Sequence, residues 1–154
     1  MVHISPCKKS DYKALIQIEK SIFKDFISIS MLKSFEKYES HVIWKIEEKK
    51  IIGFVYFFHV KDEIEIVKIG IIKSHQRKSY GSILINEIKK LKIKKIFLEV
   101  SVQNITAINF YFKNGFKKIG VRKGYYAGKD TARIDALRLI FKFNKNETRK
   151  TYVD

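Results

Sequence analysis

The stretch that decides the fold is residues 66–91, with the sequence IVKIGIIKSHQRKSYGSILINEIKKL. Its apolar run at residues 69–72 predicts a buried strand, and the polar residues 73–80 that follow predict a loop. A helix is predicted to open at Gly81 and Ser82, because the next apolar residues share one helix face. Those residues are Ile83, Leu84, Ile88 and Leu91.

A strand followed by a basic loop and a helix predicts a site for phosphate. The first backbone N–H groups of the helix have no partner within it, and the helix dipole favours negative charge at that end. Gly81 allows the backbone to approach a ligand closely. Arg77 and Lys78 add positive charge.

The hexamer at residues 76–81, QRKSYG, resembles the Q/R-x-x-G-x-G/A signature of the GCN5-related N-acetyltransferases, the GNAT family. The loop of that family holds the pyrophosphate of acetyl-coenzyme A. The resemblance implies acetyl-CoA as the donor and one loop as its binding site: Gln76, Arg77, Lys78, Ser79, Tyr80, Gly81 and Ser82. Ser79 stands where the family usually has its first glycine. Taken alone, the hexamer is equally consistent with an ordinary polar loop.

Length and composition predict one globular domain over residues 1–154. The chain is 45% hydrophobic and 14% aromatic, which excludes a disordered protein, and residues 144–154 predict a loose polar tail. A single cysteine, Cys7, excludes an internal disulfide and fits a reducing, cytoplasmic location. Because the four histidines lack metal-ligand spacing, no metal site is predicted.

The most apolar run, residues 51–60, is too short to cross a bilayer, so no membrane contact is predicted. The first twenty residues also lack the long apolar core of a signal peptide. A net charge of +16 favours acidic partners and predicts non-specific attraction to RNA. An alternative is that a biased base composition of the genome made lysine the generic surface residue.

Patterning along the chain predicts the element order β-α-α-β-β-β-α-β-α-β-β. Ser10 is expected to cap the first helix, and Ser28 or Ser30 the second. Met31, Leu32 and Phe35 are expected to face inward from that second helix. Gly70 is expected to mark a β-bulge or a close backbone approach. The fold class is therefore α/β, a mixed sheet of six to seven strands with about four helices on its faces.

A second resemblance extends along the chain to about residue 139 and narrows the family. It is carried, in order, by Leu98, Glu99, Val100, Asn104, Ala107, Ile108, Tyr111, Gly115, Phe116, Gly120, Arg122, Tyr125 and Tyr126. Their spacing is similar to that of the RimI-type ribosomal-protein alanine N-acetyltransferases. Ser101, Ala127 and Ile134 depart from that pattern, and the last two lie where the peptide site is expected.

Glu99 is the candidate general base, because it is the one acid inside an otherwise apolar strand and partial burial would make its carboxylate a better base. The alternative is a carboxylate paired with a surface lysine. Tyr111 is the candidate acid for the departing thiolate. The alternative is a core tyrosine. Asn104 lies on the same helix face and can hydrogen-bond the pantetheine arm.

The resemblance further implies that the backbones of Ile69 and Ile71 hold pantetheine and the thioester carbonyl. It places Tyr125 and Tyr126 at a groove for a peptide N-terminus. The expected reaction is direct acetyl transfer to a protein N-terminal α-amine, with the alanine of a ribosomal protein as the leading acceptor. Two alternatives stay open: a lysine side chain or small-molecule amine as acceptor, and a non-catalytic acyl-CoA- or ribosome-binding module.

Overall fold

The structure is a computed structural model that describes residues 1–144. Within those residues it has seven strands and four α-helices, in the order β-α-α-β-β-β-α-β-α-β-β. The predicted order and class of elements are confirmed. Except for its first residue, the predicted loose tail at 144–154 lies outside the described residues.

The strands are β1 (His3–Pro6), β2 (His41–Glu47), β3 (Ile51–Val60), β4 (Glu63–Ile71), β5 (Lys95–Ser101), β6 (Lys117–Ala127) and β7 (Arg133–Lys142). The helices are α1 (Tyr12–Ile22), α2 (Ile29–Phe35), α3 (Tyr80–Lys89) and α4 (Ile105–Lys113). The chain divides into two compact units, Met1–Lys92 and Ile93–Asp154. No helix in the described part of the chain is long and apolar enough to cross a membrane.

In the first unit, β1 to β4 form an antiparallel sheet in sequence order. The central strand β3 is almost continuously apolar because it is buried on both faces. Leu15 of α1 and Leu32 of α2 pack on one of those faces, in a cluster that includes Phe54 and Tyr56. Burial of these side chains, each worth about 1.5–3 kcal/mol, is what attaches the two short helices to the sheet.

The bulge in β4 lies three residues before the predicted position. The register between β3 and β4 shifts so that Val67 has no partner opposite Tyr56 and Phe57. Gly70 instead meets the Phe54 ring, since a Cβ there would lie 3.0 Å from it. What lies close to Gly70 is therefore an aromatic side chain and not the backbone that the prediction named.

The helix starts differ in part from the prediction. Ser10 does not cap α1; it lies in a short 3-10 turn, and the Asp11 carboxylate accepts the Lys8 N–H at 2.8 Å. Ser28 does cap α2, with its hydroxyl accepting the Met31 N–H at 3.2 Å. The Met31 side chain was expected to face inward and is 49% exposed.

In the second unit, β5, β7 and β6 pair antiparallel in that order. Glu99 on β5 lies directly opposite Arg138 on β7, which lies opposite Gly120 on β6. Helix α4 begins after Asn104 and ends before Gly115, which has φ 86°. The glycine provides the left-handed residue that commonly terminates a helix.

Candidate active site

The loop between β4 and α3 forms in two steps. Residues Lys73–His75 make a 3-10 turn, and α3 begins at Tyr80, one residue earlier than predicted. The Ser79 carbonyl accepts the Ile83 N–H at 2.9 Å, which is the first hydrogen bond of the helix. The free N–H groups of that first turn therefore belong to the predicted loop residues, including Gly81 and Ser82.

Ser79 adopts the backbone conformation that a glycine would provide at this position. Its φ is 65° and its ψ 4°, and Arg77 has φ 60°. Each left-handed residue with a Cβ costs about 1–2 kcal/mol. The departure from the glycine pattern is thus accommodated by strain, and the loop fits a phosphate-binding role. Arg77 and Lys78 are exposed and supply positive charge to it.

The loop is fixed at both ends by side chains. Gln76 donates from Nε2 to the Ile71 carbonyl at 2.9 Å, so this predicted ligand residue also supports the end of β4. The Tyr80 hydroxyl donates to the Glu48 carboxylate. Glu48 lies in the turn between β2 and β3, and sequence reasoning missed it because a charged turn residue gives no signal of a distant partner.

Ile69 and Ile71 lie on β4 opposite Val55 and Gly53 of β3. The Ile71 carbonyl is engaged by Gln76, as described above. The backbone roles predicted for the two isoleucines stay predictions.

Glu99 lies on β5 with its side chain 19% exposed, between two arginines. The Arg122 Nη1 is 3.3 Å from Oε2, and the Arg138 Nε is 3.7 Å from Oε1. The alternative prediction was that the Glu99 carboxylate pairs with a surface lysine. The carboxylate is indeed paired, but with the guanidinium groups of two arginines. The carboxylate of the candidate base is thus held between side chains of β6 and β7.

Tyr125 and Tyr126 lie close to Glu99. The Tyr126 hydroxyl donates to the Glu99 carbonyl at 3.3 Å. The Arg122 guanidinium lies over the Tyr125 ring, 4.3 Å from its centroid, and the two tyrosine rings are 4.9 Å apart. Glu99 on β5 and the paired tyrosines on β6 are therefore separated by the single strand β7, and their predicted roles stay predictions. Arg122 and Arg138 had no predicted role. The alternation of β7 predicts only that Arg138 and Ala136 share a face.

Tyr111 of α4 is buried, with 6% of its surface exposed. Its ring contacts Phe110 and Phe116 edge-on, at centroid distances of 5.1 and 5.5 Å. Burial raises the pKa of Tyr111 well above its usual value, and the nearby charge of Tyr126 adds to the rise. Among residues 1–144 its hydroxyl makes no hydrogen bond. The ring thus belongs to the core, as the alternative held, while the hydroxyl remains a protonated donor.

Asn104 caps α4, since its Oδ1 accepts the Ala107 N–H at 3.2 Å. Its amide oxygen is therefore engaged, and the amide NH₂ is the group left to donate to a ligand.

Cys7 is partly buried. Burial and the charge of Asp11 raise the pKa of its thiol to about 12. A thiol with that pKa is a poor nucleophile at neutral pH. Within residues 1–144, no cluster of three or more His, Cys, Asp or Glu side chains could hold a metal ion.

The model of the acetyltransferase (GNAT) family matches residues 12–116. A [ribosomal protein bS18]-alanine N-acetyltransferase from Haemophilus influenzae is 28% identical over 138 residues, covering 87% of this chain and 94% of that protein.

Solved structures agree with that match. The crystal structure of the ribosomal-protein-S18-alanine N-acetyltransferase from Escherichia coli aligns with a TM-score of 0.81 and 26% identity, over 95% of this chain and 98% of that one. Arabidopsis thaliana NAA60 in complex with acetyl-CoA shares the fold, with a TM-score of 0.77 and 17% identity over 92% of this chain and 98% of that one. The chain belongs to the GNAT acetyltransferase family and is an acetyl-CoA-dependent N-acetyltransferase.

Proposed function

We propose that this enzyme acetylates the N-terminal α-amine of a protein, and that its acceptor is the N-terminal alanine of a ribosomal protein. The observation that carries the proposal is the likeness to bS18-alanine N-acetyltransferase over 94% of that protein's length. A likeness of that extent includes β5 and β6, where Glu99 and the paired tyrosines lie.

The chemistry of the acceptor agrees with the groups in the second unit. An α-amine has a pKa of about 7.7–8.0, whereas a lysine has one of about 10.4, so far more α-amine is neutral at pH 7. A carboxylate acting through a water molecule can serve as the base for such an amine. The candidate base Glu99 therefore agrees with an α-amine as the acceptor.

We assign the loop at residues 76–82 to the pyrophosphate of acetyl-CoA. Its backbone N–H groups, with Arg77 and Lys78, would hold the phosphates. The backbones of Ile69 and Ile71 would hold the pantetheine arm. Acetyl-CoA supplies the acetyl thioester, whose sulfur leaves as a thiolate when the amine takes the acetyl group.

Two side chains handle the protons. Glu99 accepts, through a water molecule, the proton that the acceptor ammonium must lose before its nitrogen can attack. Tyr111 keeps its proton because burial raises its pKa, and it donates that proton to the departing sulfur. The high pKa of the Cys7 thiol supports direct transfer without an acyl-cysteine.

Tyr125 and Tyr126 would form one wall of the acceptor groove. The strand before them is held by Asp135, whose Oδ1 accepts the Gly124 N–H at 2.8 Å and whose Oδ2 pairs with Lys123 at 3.0 Å. Asp135 occupies a position within the departing segment Ile134-Asp135-Ala136, and this contact gives it a structural task there.

The test measures kcat/KM on heptapeptides that differ only in their first residue: alanine, serine, methionine or glycine. A peptide with a blocked N-terminus and one lysine, and spermine, represent the other amines. The alanine peptide should be the best acceptor. A clear preference for the blocked lysine peptide or for spermine would reject the acceptor while leaving the acetyltransferase standing.

The cytoplasmic location and the non-specific attraction to RNA stay predictions. Attraction to RNA by net charge alone should fall steeply with salt. A filter-binding titration of an unstructured RNA at two salt concentrations measures it, and binding that resists salt would require a specific RNA site instead.

A further inference from the structure

The backbone at residues 77–79 is held in a conformation that side chains with a Cβ rarely adopt. Arg77 and Ser79, with φ of 60° and 65°, flank Lys78. Strained residues of this kind persist only where the surrounding contacts fix them. The contacts that hold this segment therefore also determine the shape that the loop presents to a ligand.

Two contacts bracket the strained segment. Before it, the Gln76 side chain donates to the Ile71 carbonyl at 2.9 Å. After it, the Tyr80 hydroxyl donates to Oε1 of Glu48, in the turn between β2 and β3. The other carboxylate oxygen of Glu48 is 3.9 Å from Nε2 of His75, whose ring lies 5.9 Å from that of Tyr80. Glu48 thus lies beside the last residue of the 3-10 turn and the first residue of α3, and its contact with Tyr80 joins the loop to the hairpin of β2 and β3.

The charge of Glu48 has the wrong sign for a loop that receives phosphates. Its carboxylate is 37% exposed, and Tyr80 and then His75 and Lys78 hold its pKa below the usual value, so it is ionised at neutral pH. An ionised acid beside an anion site lowers the attraction of the site for that anion. Its benefit must therefore come from the geometry it imposes.

We propose that Glu48 is a positioning residue for acetyl-CoA: its carboxylate fixes Tyr80 and so keeps residues 77–79 in the conformation that receives the pyrophosphate. The proposal rests on the assignment of the loop to acetyl-CoA made above. It adds the hairpin of β2 and β3, which lies outside the residues of the sequence motif, to the acetyl-CoA site.

The direction in which Glu48→Ala changes the affinity for acetyl-CoA distinguishes a positioning role of Glu48 from an effect of its charge alone. If only charge counted, Glu48→Ala would bind acetyl-CoA equally well or more tightly. If Glu48 positions the loop, Glu48→Ala should weaken binding about three- to tenfold, as for loss of one ordinary hydrogen bond. Glu48→Gln should recover part of the loss, because the amide oxygen can still accept from Tyr80.

The experiment is isothermal titration of acetyl-CoA into the full chain and its variants. Tyr80→Phe should equal Glu48→Ala, and the double variant should be no weaker than either single one, because both remove the same bond. In steady-state kinetics, the KM for acetyl-CoA should rise, while kcat and the KM for the acceptor should stay unchanged. The matched control is Glu39→Ala, which removes an exposed acid from the turn before β2.

Two outcomes overturn the proposal. One is unchanged or tighter binding by Glu48→Ala; the other is a loss that Tyr80→Phe does not share. Thermal unfolding without ligand checks that each variant is folded, and Tyr80→Phe, which keeps its ring, remains informative should Glu48→Ala unfold. Arg77→Glu tests the assignment of the loop to acetyl-CoA separately from the role of Glu48. If this charge reversal leaves acetyl-CoA binding unchanged, the loop does not hold acetyl-CoA.

Discussion

Replacing Tyr111 with phenylalanine removes one oxygen atom and should separate activity from stability. The hydroxyl makes no hydrogen bond among residues 1–144, and the ring contacts with Phe110 and Phe116 do not involve it. The free energy of unfolding should therefore change by no more than about 0.5 kcal/mol. Tyr111→Ala, which removes the buried ring, should cost about 3–5 kcal/mol.

Activity should respond in the opposite way. A positioned general acid contributes about 10²–10⁴-fold to a rate, so Tyr111→Phe should lower kcat by at least about 10²-fold, or about 3 kcal/mol in the barrier. Because the pKa of Tyr111 is raised by burial, the phenol stays protonated where an ordinary tyrosine, with a pKa of about 10, begins to ionise. The wild-type rate should therefore not fall from loss of this proton as the pH approaches 10.

The assay follows release of free coenzyme A thiol at saturating acetyl-CoA and acceptor, and urea unfolding measures stability in parallel. Loss of kcat with unchanged stability is the predicted result. Equal losses in Tyr111→Phe and Tyr111→Ala with matching loss of stability, or full activity in Tyr111→Phe, would show that Tyr111 is only a core residue.

Three further predictions concern strain, the thiol and a buried ion pair. Ser79→Gly should tighten acetyl-CoA binding up to about threefold because φ > 0 costs glycine nothing, whereas Ser79→Ala should not; isothermal titration compares them. Cys7, whose pKa is raised to about 12, should react with iodoacetamide at a rate that keeps rising beyond pH 10, and Cys7→Ser should keep full activity; a plateau near pH 9 or loss of activity contradicts this. Glu19 is fully buried and accepts the Lys68 ammonium at 3.0 Å, so Glu19→Ala should lower stability by about 3–5 kcal/mol in urea unfolding, and a loss below about 1 kcal/mol would mean the pair is hydrated.

The order of the elements could be predicted from sequence because each has a strong local pattern. The strand-loop-helix at residues 66–91, the cap at Asn104 and the terminator at Gly115 all depend on neighbours within a few residues. The bulge at Val67 could not be predicted, since it depends on how Tyr56 and Phe57 pair across the sheet. Ser10 was wrong as a cap because the chain makes a 3-10 turn at Lys9–Asp11, where the Asp11 carboxylate accepts the Lys8 N–H, so that α1 begins only at Tyr12.

For the candidate site, residue types could be predicted but their partners could not. Glu99 was singled out as an acid in an apolar strand. Its partners Arg122 and Arg138 could not be predicted, because they follow it in the sequence by 23 and 39 residues and lie on other strands. The left-handed φ of Ser79 was not predicted, although glycine, the usual residue at this position of the family pattern, adopts it without strain. Glu48 illustrates the limit most clearly, because its partner Tyr80 lies 32 residues further along the chain.

The measurement that tests the central claim most directly uses a single peptide with a free N-terminal alanine and one internal lysine. The enzyme and its Glu99→Gln variant are incubated with acetyl-CoA, and tandem mass spectrometry locates the acetyl group. The α-amine should carry it, with the rate reduced at least about 10²-fold in the variant. Acetylation of the lysine, or an α-amine rate that Glu99→Gln leaves unchanged, would contradict the assigned acceptor or the assigned base, respectively.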